Sequence, residues 1–311
     1  MVVRAAPNRR SFFTSIVAVG STAVVVASCA TLTHASHHAV GAPPAAIGAE
    51  AATFASASGS TIHAWIARGR AHGGAVLLLH GVHASRLAMV DRARFLHAAG
   101  YTVLLPDFQA HGESPGDRVT FGKLESLDAV AALAYLRARA PGERVAVIGT
   151  SMGGAAALVG PDGPLDADAF VLESVYPTIR DATRDRLRAW FGPFGPPLTP
   201  ALLRVVGSSI DVVPDSLRPI ERIGRLTAPV LVAAGTKDRY TTIAESRALF
   251  ARASSPKEFW AVDGAGHVDL HGYAPAEYER RVGAFLARWV RGASTPAGLA
   301  AAAISVEPAE R

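Results

Sequence analysis

Short apolar runs recur along the middle of the chain and alternate with segments of helical periodicity. The runs predicted as buried strands are AVLLL at 75–79, YTVLL at 101–105, RVAVI at 144–148, AFVL at 169–172, PVLVA at 229–233 and EFWAV at 258–262. Uninterrupted apolar strands are typical of a parallel sheet that is covered on both faces. The pattern therefore predicts an α/β fold with a mostly parallel central sheet and helices on both of its faces.

Apolar residues spaced three and four positions apart predict the helices between these strands. The predicted helices are 87–99, which stops at Gly100, about 124–136, which ends before Pro141-Gly142, the Gly- and Ala-rich segment 151–158, and a final amphipathic helix around 278–290. Two short stretches, 53–57 and 61–67, flank Ser58-Gly59-Ser60. This arrangement predicts a β-hairpin at the start of the domain.

One interval, 177–228, interrupts the alternation of strands and helices. It contains no convincing strand but is rich in proline and in large apolar residues such as Trp190, Phe191 and Phe194. We interpret it as a helical insertion, called the cap below, within a domain at 51–290. A helix cluster unrelated to substrate is the alternative interpretation of the cap. The Ala-rich segment 291–311 lacks a pattern and is predicted to be a disordered tail.

The N-terminal segment has the layout of an export signal, with basic residues before an uncharged apolar run at 11–33. Arg9-Arg10-Ser11-Phe12-Phe13 resembles a twin-arginine signal, and Val26-Ala27-Ser28-Cys29 resembles a bacterial lipobox. We predict an export signal at 1–28, a lipidated Cys29 and a flexible linker at 29–50. An uncleaved anchor helix and an ordinary cleaved signal are the alternatives. All three place the domain outside the cytoplasm, in the bacterial cell envelope or secreted.

Composition and charge restrict the kinds of molecule that the protein is expected to bind. The net charge is +5 and the pI is about 9.7, but part of the excess lies in the export signal, and no basic block with interleaved aromatic residues appears elsewhere. A nucleic-acid partner is therefore not expected. The lone Cys29 excludes an internal disulfide. The sequence does not determine the oligomeric state.

Two histidine-containing stretches could be considered for metal binding. His34, His37 and His38 lie in the predicted linker, where solvated side chains are the favoured interpretation. The spacing of His267, Asp269 and His271 is compatible with a metal, but no further cluster supports one. We predict neither a metal nor a cofactor.

The pentapeptide G-x-S-x-G, which positions nucleophilic serines, occurs twice, as Gly112-Glu113-Ser114-Pro115-Gly116 and as Gly149-Thr150-Ser151-Met152-Gly153. In this motif the serine lies on a sharp turn from a strand to a helix, and the next backbone N–H helps to bind an oxyanion. Ser151 follows the RVAVI strand and begins a predicted helix. Pro115 has no N–H to offer after Ser114, so Ser151 is the predicted nucleophile.

A serine nucleophile needs a histidine base and an orienting carboxylate, in the chain order Ser, Asp or Glu, His. His267 follows the last strand in a glycine-rich loop and is the predicted base, with His271 as the alternative and more simply a surface loop residue. Asp238 follows the PVLVA strand and is the predicted acid. Asp263 and Glu173 are alternatives, Glu173 being better explained as a pocket-edge or structural group.

The oxyanion would be bound by two backbone N–H groups, those of Met152 and of Val82. Val82 lies in the loop His80-Gly81-Val82-His83 after the AVLLL strand. His80 precedes Ser151 and is out of order for a base, so we interpret it as a structural residue of that loop.

These motifs together resemble the α/β-hydrolase superfamily. They are Leu79-His80-Gly81, the loop Asp107-Phe108-Gln109-Ala110-His111-Gly112-Glu113-Ser114, the Ser151 pentapeptide, Gly235-Thr236-Lys237-Asp238 and Gly264-Ala265-Gly266-His267. Within the superfamily the chain is similar, over about 51–290, to the serine-aminopeptidase and monoacylglycerol-lipase-like group and to Bem46-like hydrolases. Many of these relatives carry Arg where this chain has Gln109.

The resemblance implies an eight-stranded sheet, a cap after the sixth strand, no cofactor, and hydrolysis of an ester, thioester or amide. The expected activity is that of a carboxylesterase or lipase-like enzyme on a small or lipid-like acyl substrate. A catalytically silent binding module and an acyltransferase are the alternatives, because this fold supports many chemistries.

Overall fold

The computed structural model of the chain describes residues 32–291. Its centre is an eight-stranded sheet of order β10-β9-β8-β7-β4-β5-β3-β2. The strands are β2 (Glu50–Ala55), β3 (Thr61–Ala67), β4 (Ala75–Leu79), β5 (Thr102–Pro106), β7 (Val145–Thr150), β8 (Ala169–Glu173), β9 (Val230–Gly235) and β10 (Lys257–Val262). The pairings from β10 to β5 are parallel, whereas β3 pairs antiparallel with both β5 and β2.

Helices cover both faces of the sheet. They are α1 (Val90–Ala98), α2 (Lys123–Arg139), α3 (Met152–Leu158), α4 (Ile179–Phe191), α5 (Thr199–Ser209), α6 (Pro219–Arg222), α7 (Ile243–Arg252), α8 (Leu270–Tyr273) and α9 (Pro275–Val290). One core cluster packs α2, α3 and α7 on one face, and a second packs α1, α8 and α9 on the other. The α/β-hydrolase fold and the eight-stranded sheet expected from the sequence are confirmed.

The central strands are buried because they are apolar on both faces. Every residue of β4, β8 and β9 is buried, and each core cluster takes alternate side chains of these strands. In β4, for example, Leu77 and Leu79 belong to one cluster while Val76 and Leu78 belong to the other. Strand side chains alternate between the two faces of a sheet, so an unbroken apolar run is the pattern that two covered faces require.

The interval between β8 and β9 contains helices and turns but, among the described residues, no strand. It includes α4, α5 and α6, joined by short 3-10 turns around its prolines. Several cap residues join the core cluster on the α3 side of the sheet, among them Leu187, Leu202 and Leu203. Trp190, Phe191 and Phe194 remain exposed to solvent.

The segment 32–49, placed by sequence in the flexible linker, is packed against the domain. A short strand β1 (Ser36–His37) pairs in parallel with β6 (His111–Gly112), and Leu32, Val40 and Ile47 are buried. The linker prediction is therefore wrong for these residues. The sequence signal for this packing consists of three widely spaced apolar residues, a pattern too weak to distinguish the segment from a flexible linker.

Three sequence predictions fall wholly or mostly outside the described residues. They are the export signal at 1–28, the lipidated Cys29 and the tail predicted for 291–311. Of the tail, only Arg291 is described, and its Nε donates a hydrogen bond to the Gly73 carbonyl at 3.0 Å. Between residues 32 and 291, no helix combines the length and hydrophobicity needed to cross a bilayer.

Candidate active site

Ser151 occupies the turn between β7 and α3. Its backbone angles are φ 49° and ψ −114°, a region that non-glycine residues rarely adopt and that costs on the order of 1–3 kcal/mol. The turn is held by hydrogen bonds on both sides: the Ser151 N–H donates to the Glu173 carbonyl at 2.7 Å, and the Ser151 carbonyl accepts from the Ala155 N–H at 3.0 Å. This strained strand-to-helix turn is the geometry that the pentapeptide is known to impose.

The glycines of the pentapeptide allow its backbone to approach neighbouring chains. A Cβ on Gly149 would lie 2.6 Å from the Gly154 Cα, and one on Gly153 would lie 2.6 Å from the His80 carbonyl oxygen. Real Cβ atoms do not come this close to other backbone atoms. The small residues therefore bring α3 against β7 and against the end of β4, from which the Val82 loop begins.

The side chains of His267 and Asp238 meet at the carboxyl edge of the sheet, in the loops that follow β10 and β9. The distance from His267 Nδ1 to Asp238 Oδ2 is 2.8 Å. The other carboxylate oxygen of Asp238 accepts the N–H groups of Tyr240 at 2.8 Å and Thr241 at 2.9 Å. With Nδ1 donating to Asp238, the Nε2 atom of His267 is left as a proton acceptor.

The alternative partners named by sequence are engaged elsewhere. The Glu173 carboxylate is buried and accepts hydrogen bonds from Arg92 and Tyr278, so it is a structural group beneath the site. Asp263 accepts from the Thr236 hydroxyl at 3.3 Å.

His271 is not the surface loop residue that was predicted. It is buried in α8, its Nε2 lies 3.1 Å from Glu279 Oε1, and its ring packs against Phe95 and Tyr278.

The loop after β4 lies against Ser151. A Cβ on Gly81 would be 3.8 Å from the Ser151 Cβ, which places the next residue, Val82, beside the nucleophile. Met152 is the first residue of α3, where an N–H group has no partner within the helix. These two N–H groups remain the predicted oxyanion donors.

His80 holds this loop in place, as predicted. Its Nδ1 lies 2.7 Å from the Gly81 carbonyl oxygen, and its Nε2 accepts the Phe108 N–H at 3.1 Å. Burial and the nearby His111 lower the pKa of His80 to about 3. A neutral imidazole is therefore the form that supports the loop at physiological pH.

Ser114 lies in the loop after β5, away from the turn that holds Ser151. It is fully buried, its hydroxyl donates to the Asp107 carbonyl at 2.8 Å, and it accepts the His63 N–H at 2.9 Å. The carbonyl of Pro115 accepts from the Ser60 hydroxyl at 2.7 Å. The pentapeptide around Ser114 thus ties its loop to β3 and has no strand-to-helix turn.

Ser151 and His267 line two adjoining cavities. The first lies under the cap, encloses about 50 Å³ and is mostly apolar, with walls that include Leu32, Ile179, Leu202, Leu203 and Val206. The second encloses about 250 Å³ and includes Ala88, Arg92, Ser174 and Asp269. Val82 and Arg186 line both. The candidate nucleophile therefore stands where an apolar and a more polar compartment meet.

Two wall residues were not found from the sequence. Leu32 was assigned to the linker, and its apolar side chain was too isolated to suggest burial. Arg186 is one of four arginines in α4, so it looked like part of a solvated face. Ile179, Ala182 and Thr183 also line the cavity, and they lie seven, four and three positions before Arg186, on the same helix face. This spacing was the sequence signal that could have placed Arg186 in the cavity wall.

Comparison of the sequence with known proteins places it among α/β hydrolases. A model of the alpha/beta hydrolase family matches residues 76–281. An uncharacterized protein of Mycobacterium tuberculosis is 33% identical over 199 residues, which are 63% of this chain and 64% of that protein. The chain thus matches slightly less than two thirds of that relative's length. Alpha/beta hydrolase domain-containing protein 17B of Xenopus laevis is 36% identical over 74 residues, 24% of this chain and 25% of that protein.

Solved structures agree with this placement. The Pyrococcus furiosus esterase Pf2001 has a TM-score of 0.66 at 26% identity, over 82% of this chain and 98% of that chain. An esterase from Exiguobacterium antarcticum has a TM-score of 0.58 at 16% identity, over 76% of this chain and 99% of that chain, a likeness of fold alone. The chain belongs to the alpha/beta hydrolase family.

Proposed function

We propose that this protein is a serine esterase that cleaves acyl esters through Ser151, His267 and Asp238. The observation that carries the proposal is the 2.8 Å contact between His267 Nδ1 and Asp238 Oδ2, beside a serine held in a strained strand-to-helix turn in the same cavity. Three residues that are far apart in sequence supply a nucleophile, a base and an orienting acid at one edge of the sheet.

In the proposed reaction, the Ser151 hydroxyl attacks the acyl carbonyl while His267 Nε2 accepts its proton. Asp238 holds the imidazole and stabilises the charge that develops on it. The Val82 and Met152 N–H groups bind the oxyanion of the tetrahedral intermediate. His267 then protonates the leaving alcohol, which departs and leaves an acyl-enzyme on Ser151. A water molecule, deprotonated by His267, hydrolyses this ester and returns the proton to Ser151 by way of the histidine.

The apolar cavity under the cap supports an acyl group as the part of the substrate bound there. Its volume of about 50 Å³ corresponds to a few water molecules at roughly 10–15 Å³ each. The small size of this cavity favours a short acyl group, so acetyl to butyryl esters are the proposed substrates.

The test of the proposal is labelling and turnover by the wild type and two variants. A fluorophosphonate probe should label the wild type but not Ser151→Ala, and 4-nitrophenyl butyrate hydrolysis should vanish with the label. Asp238→Asn should label slowly and lose roughly 10³- to 10⁴-fold in kcat, because the imidazole is no longer held in the required tautomer. Folded wild-type protein that neither labels nor hydrolyses any ester of a short-chain panel would refute the proposal.

We also propose that the esterase is anchored in the cell envelope through a lipidated Cys29. The lipobox-like sequence before Cys29 supports this. Mass spectrometry of the mature protein should find a diacylated Cys29 as its first residue. A chain that starts at Met1, or one cleaved elsewhere without lipid, would overturn the assignment.

A further inference from the structure

Arg186 reaches the active site from the cap and differs from the other arginines of its helix. Arg180 pairs with Asp215, Arg184 with Asp181, Asp185 and Glu245, and Arg188 with Asp185. Within residues 32–291, no carboxylate lies within ion-pair distance of Arg186. Its guanidinium instead stands over the Tyr240 ring, 4.9 Å from the centroid, and lines both cavities beside Ser151 and His267.

Burial of this guanidinium without a negatively charged partner costs free energy. Burial lowers the pKa of Arg186, whereas Tyr240 and Asp238 raise it. A guanidinium nevertheless stays protonated at neutral pH. Asp238, whose charge acts on Arg186, already has both oxygens occupied, by His267 on one side and by Tyr240 and Thr241 on the other. The donors of Arg186 are therefore available to a ligand.

The second cavity offers a further polar group without a partner. The Ser174 hydroxyl is buried and, among the described residues, makes no hydrogen bond. Asp269 also lines this cavity, but it is paired with Arg92 at 2.6 Å. A guanidinium without a carboxylate partner and a hydroxyl without a hydrogen bond, in a cavity that Ser151 also lines, are groups that recognise carboxylate or phosphate oxygens.

We infer that Arg186 binds an anionic group, a carboxylate or a phosphate, that the substrate carries close to its scissile ester. The inference rests on the proposed esterase function and deepens it. The substrate is then an ester of an acidic compound, bound through its charge by the cap and through its acyl carbonyl by the oxyanion donors. Because Arg186 lines both cavities, the anion can belong to the acyl part or to the alcohol part.

Two pairs of esters separate these sources. On the acyl side, 4-nitrophenyl hemisuccinate is compared with its neutral methyl ester. On the alcohol side, 4-butyryloxybenzoate is compared with methyl 4-butyryloxybenzoate. The wild type is measured beside Arg186→Gln, Arg186→Lys and a control, Arg180→Gln, which removes an exposed arginine of the same helix that lines neither cavity. Ser151→Ala supplies the uncatalysed rate.

For at least one pair, the wild type should have the higher kcat/KM for the anionic ester. Arg186→Gln should lower that preference by about tenfold or more, as expected for a charge-assisted hydrogen bond. Arg186→Lys should retain much of the preference, and Arg180→Gln should leave it unchanged.

Two results would overturn the inference. One is a wild type whose kcat/KM, in both pairs, is higher for the neutral ester or equal for the two esters. This result does not depend on whether the variants fold. The other is an equal loss of both members of each pair in Arg186→Gln, since a residue that only holds the cap over Tyr240 would affect all esters alike. Failure of the proposed function is distinct, because the wild type would then hydrolyse neither neutral ester faster than Ser151→Ala does.

Discussion

Two serines in identical pentapeptide patterns have different surroundings. Ser151 has a positive φ and lies in a cavity wall, whereas Ser114 is fully buried and satisfied by backbone partners. The difference follows from the next residue, because Pro115 has no N–H to offer and disfavours a helical conformation at the serine that precedes it.

Ser114→Ala should retain most of the esterase activity and lose stability. The substitution leaves the Ser151 turn intact but removes two buried hydrogen bonds, so the free energy of unfolding should fall by about 1–3 kcal/mol. Urea denaturation and 4-nitrophenyl butyrate turnover measure the two effects. A stable Ser114→Ala protein without activity would refute the assignment of the nucleophile.

Single residues were predictable where chemistry restricts the choice. The missing N–H of Pro115 and the order of Ser151, Asp238 and His267 were both readable from the sequence. The burial of His271 and the free guanidinium of Arg186 were not, because they depend on which side chains of α4, α8 and α9 meet in space. Sequence spacing alone gives no distance between such groups.

At the scale of elements, the join between β7 and α3 depends on close backbone contacts. Gly153→Ala should displace α3 from the loop after β4, since its Cβ would clash with the His80 carbonyl oxygen. We expect a loss of kcat of tenfold or more, because a small displacement of the oxyanion donors has a large effect on the transition state.

The matched control is Gly283→Ala in α9, where a Cβ would meet nothing within 4 Å. This variant should keep full activity and gain up to about 1 kcal/mol, the difference in helix propensity between glycine and alanine. Turnover and thermal unfolding of both variants make the comparison. Equal activity in the two would contradict the role given to the Gly153 contact.

Elements with a strong period were predictable, and those held by a few contacts were not. The apolar strands and the amphipathic α9 match their sequence patterns within a few residues. The segment 32–49 did not, because β1 has only two residues and its partner β6 is equally short. Such pairing depends on tertiary contacts such as the Ser36 N–H to the Ala110 carbonyl at 2.7 Å.

At the scale of the whole molecule, one buried and one partly buried histidine make stability depend on pH. Burial and nearby positive groups lower the pKa of His80 to about 3 and of His83 to about 4. Between these values and about 6.5 the unfolded chain binds protons that the folded chain does not, so stability falls as the pH falls through this range. Burial raises the pKa of Asp128 to about 6 and that of Glu245 to about 7, which acts in the opposite sense.

His83→Asn isolates one of these contributions. Its free energy of unfolding should fall less than that of the wild type between pH 7 and pH 5, by about 1 kcal/mol once the partial exposure of His83 is allowed for. Denaturant titrations at the two pH values measure the difference, with a substitution at the partly exposed His97, His97→Asn, as a control. An unchanged pH dependence in His83→Asn would contradict the lowered pKa.

The burial of Leu32 in the wall of the apolar cavity beside Ser151 has a consequence for how the proposed esterase would meet its substrates. Leu32 is the third residue after Cys29, and three residue steps of extended chain span at most about 11 Å. With Cys29 fixed in a bilayer, as proposed, the cavity is held close to the membrane surface. Encounter with amphiphilic esters then becomes a search in two dimensions, and a shed form of the enzyme would lose that advantage while keeping its chemistry.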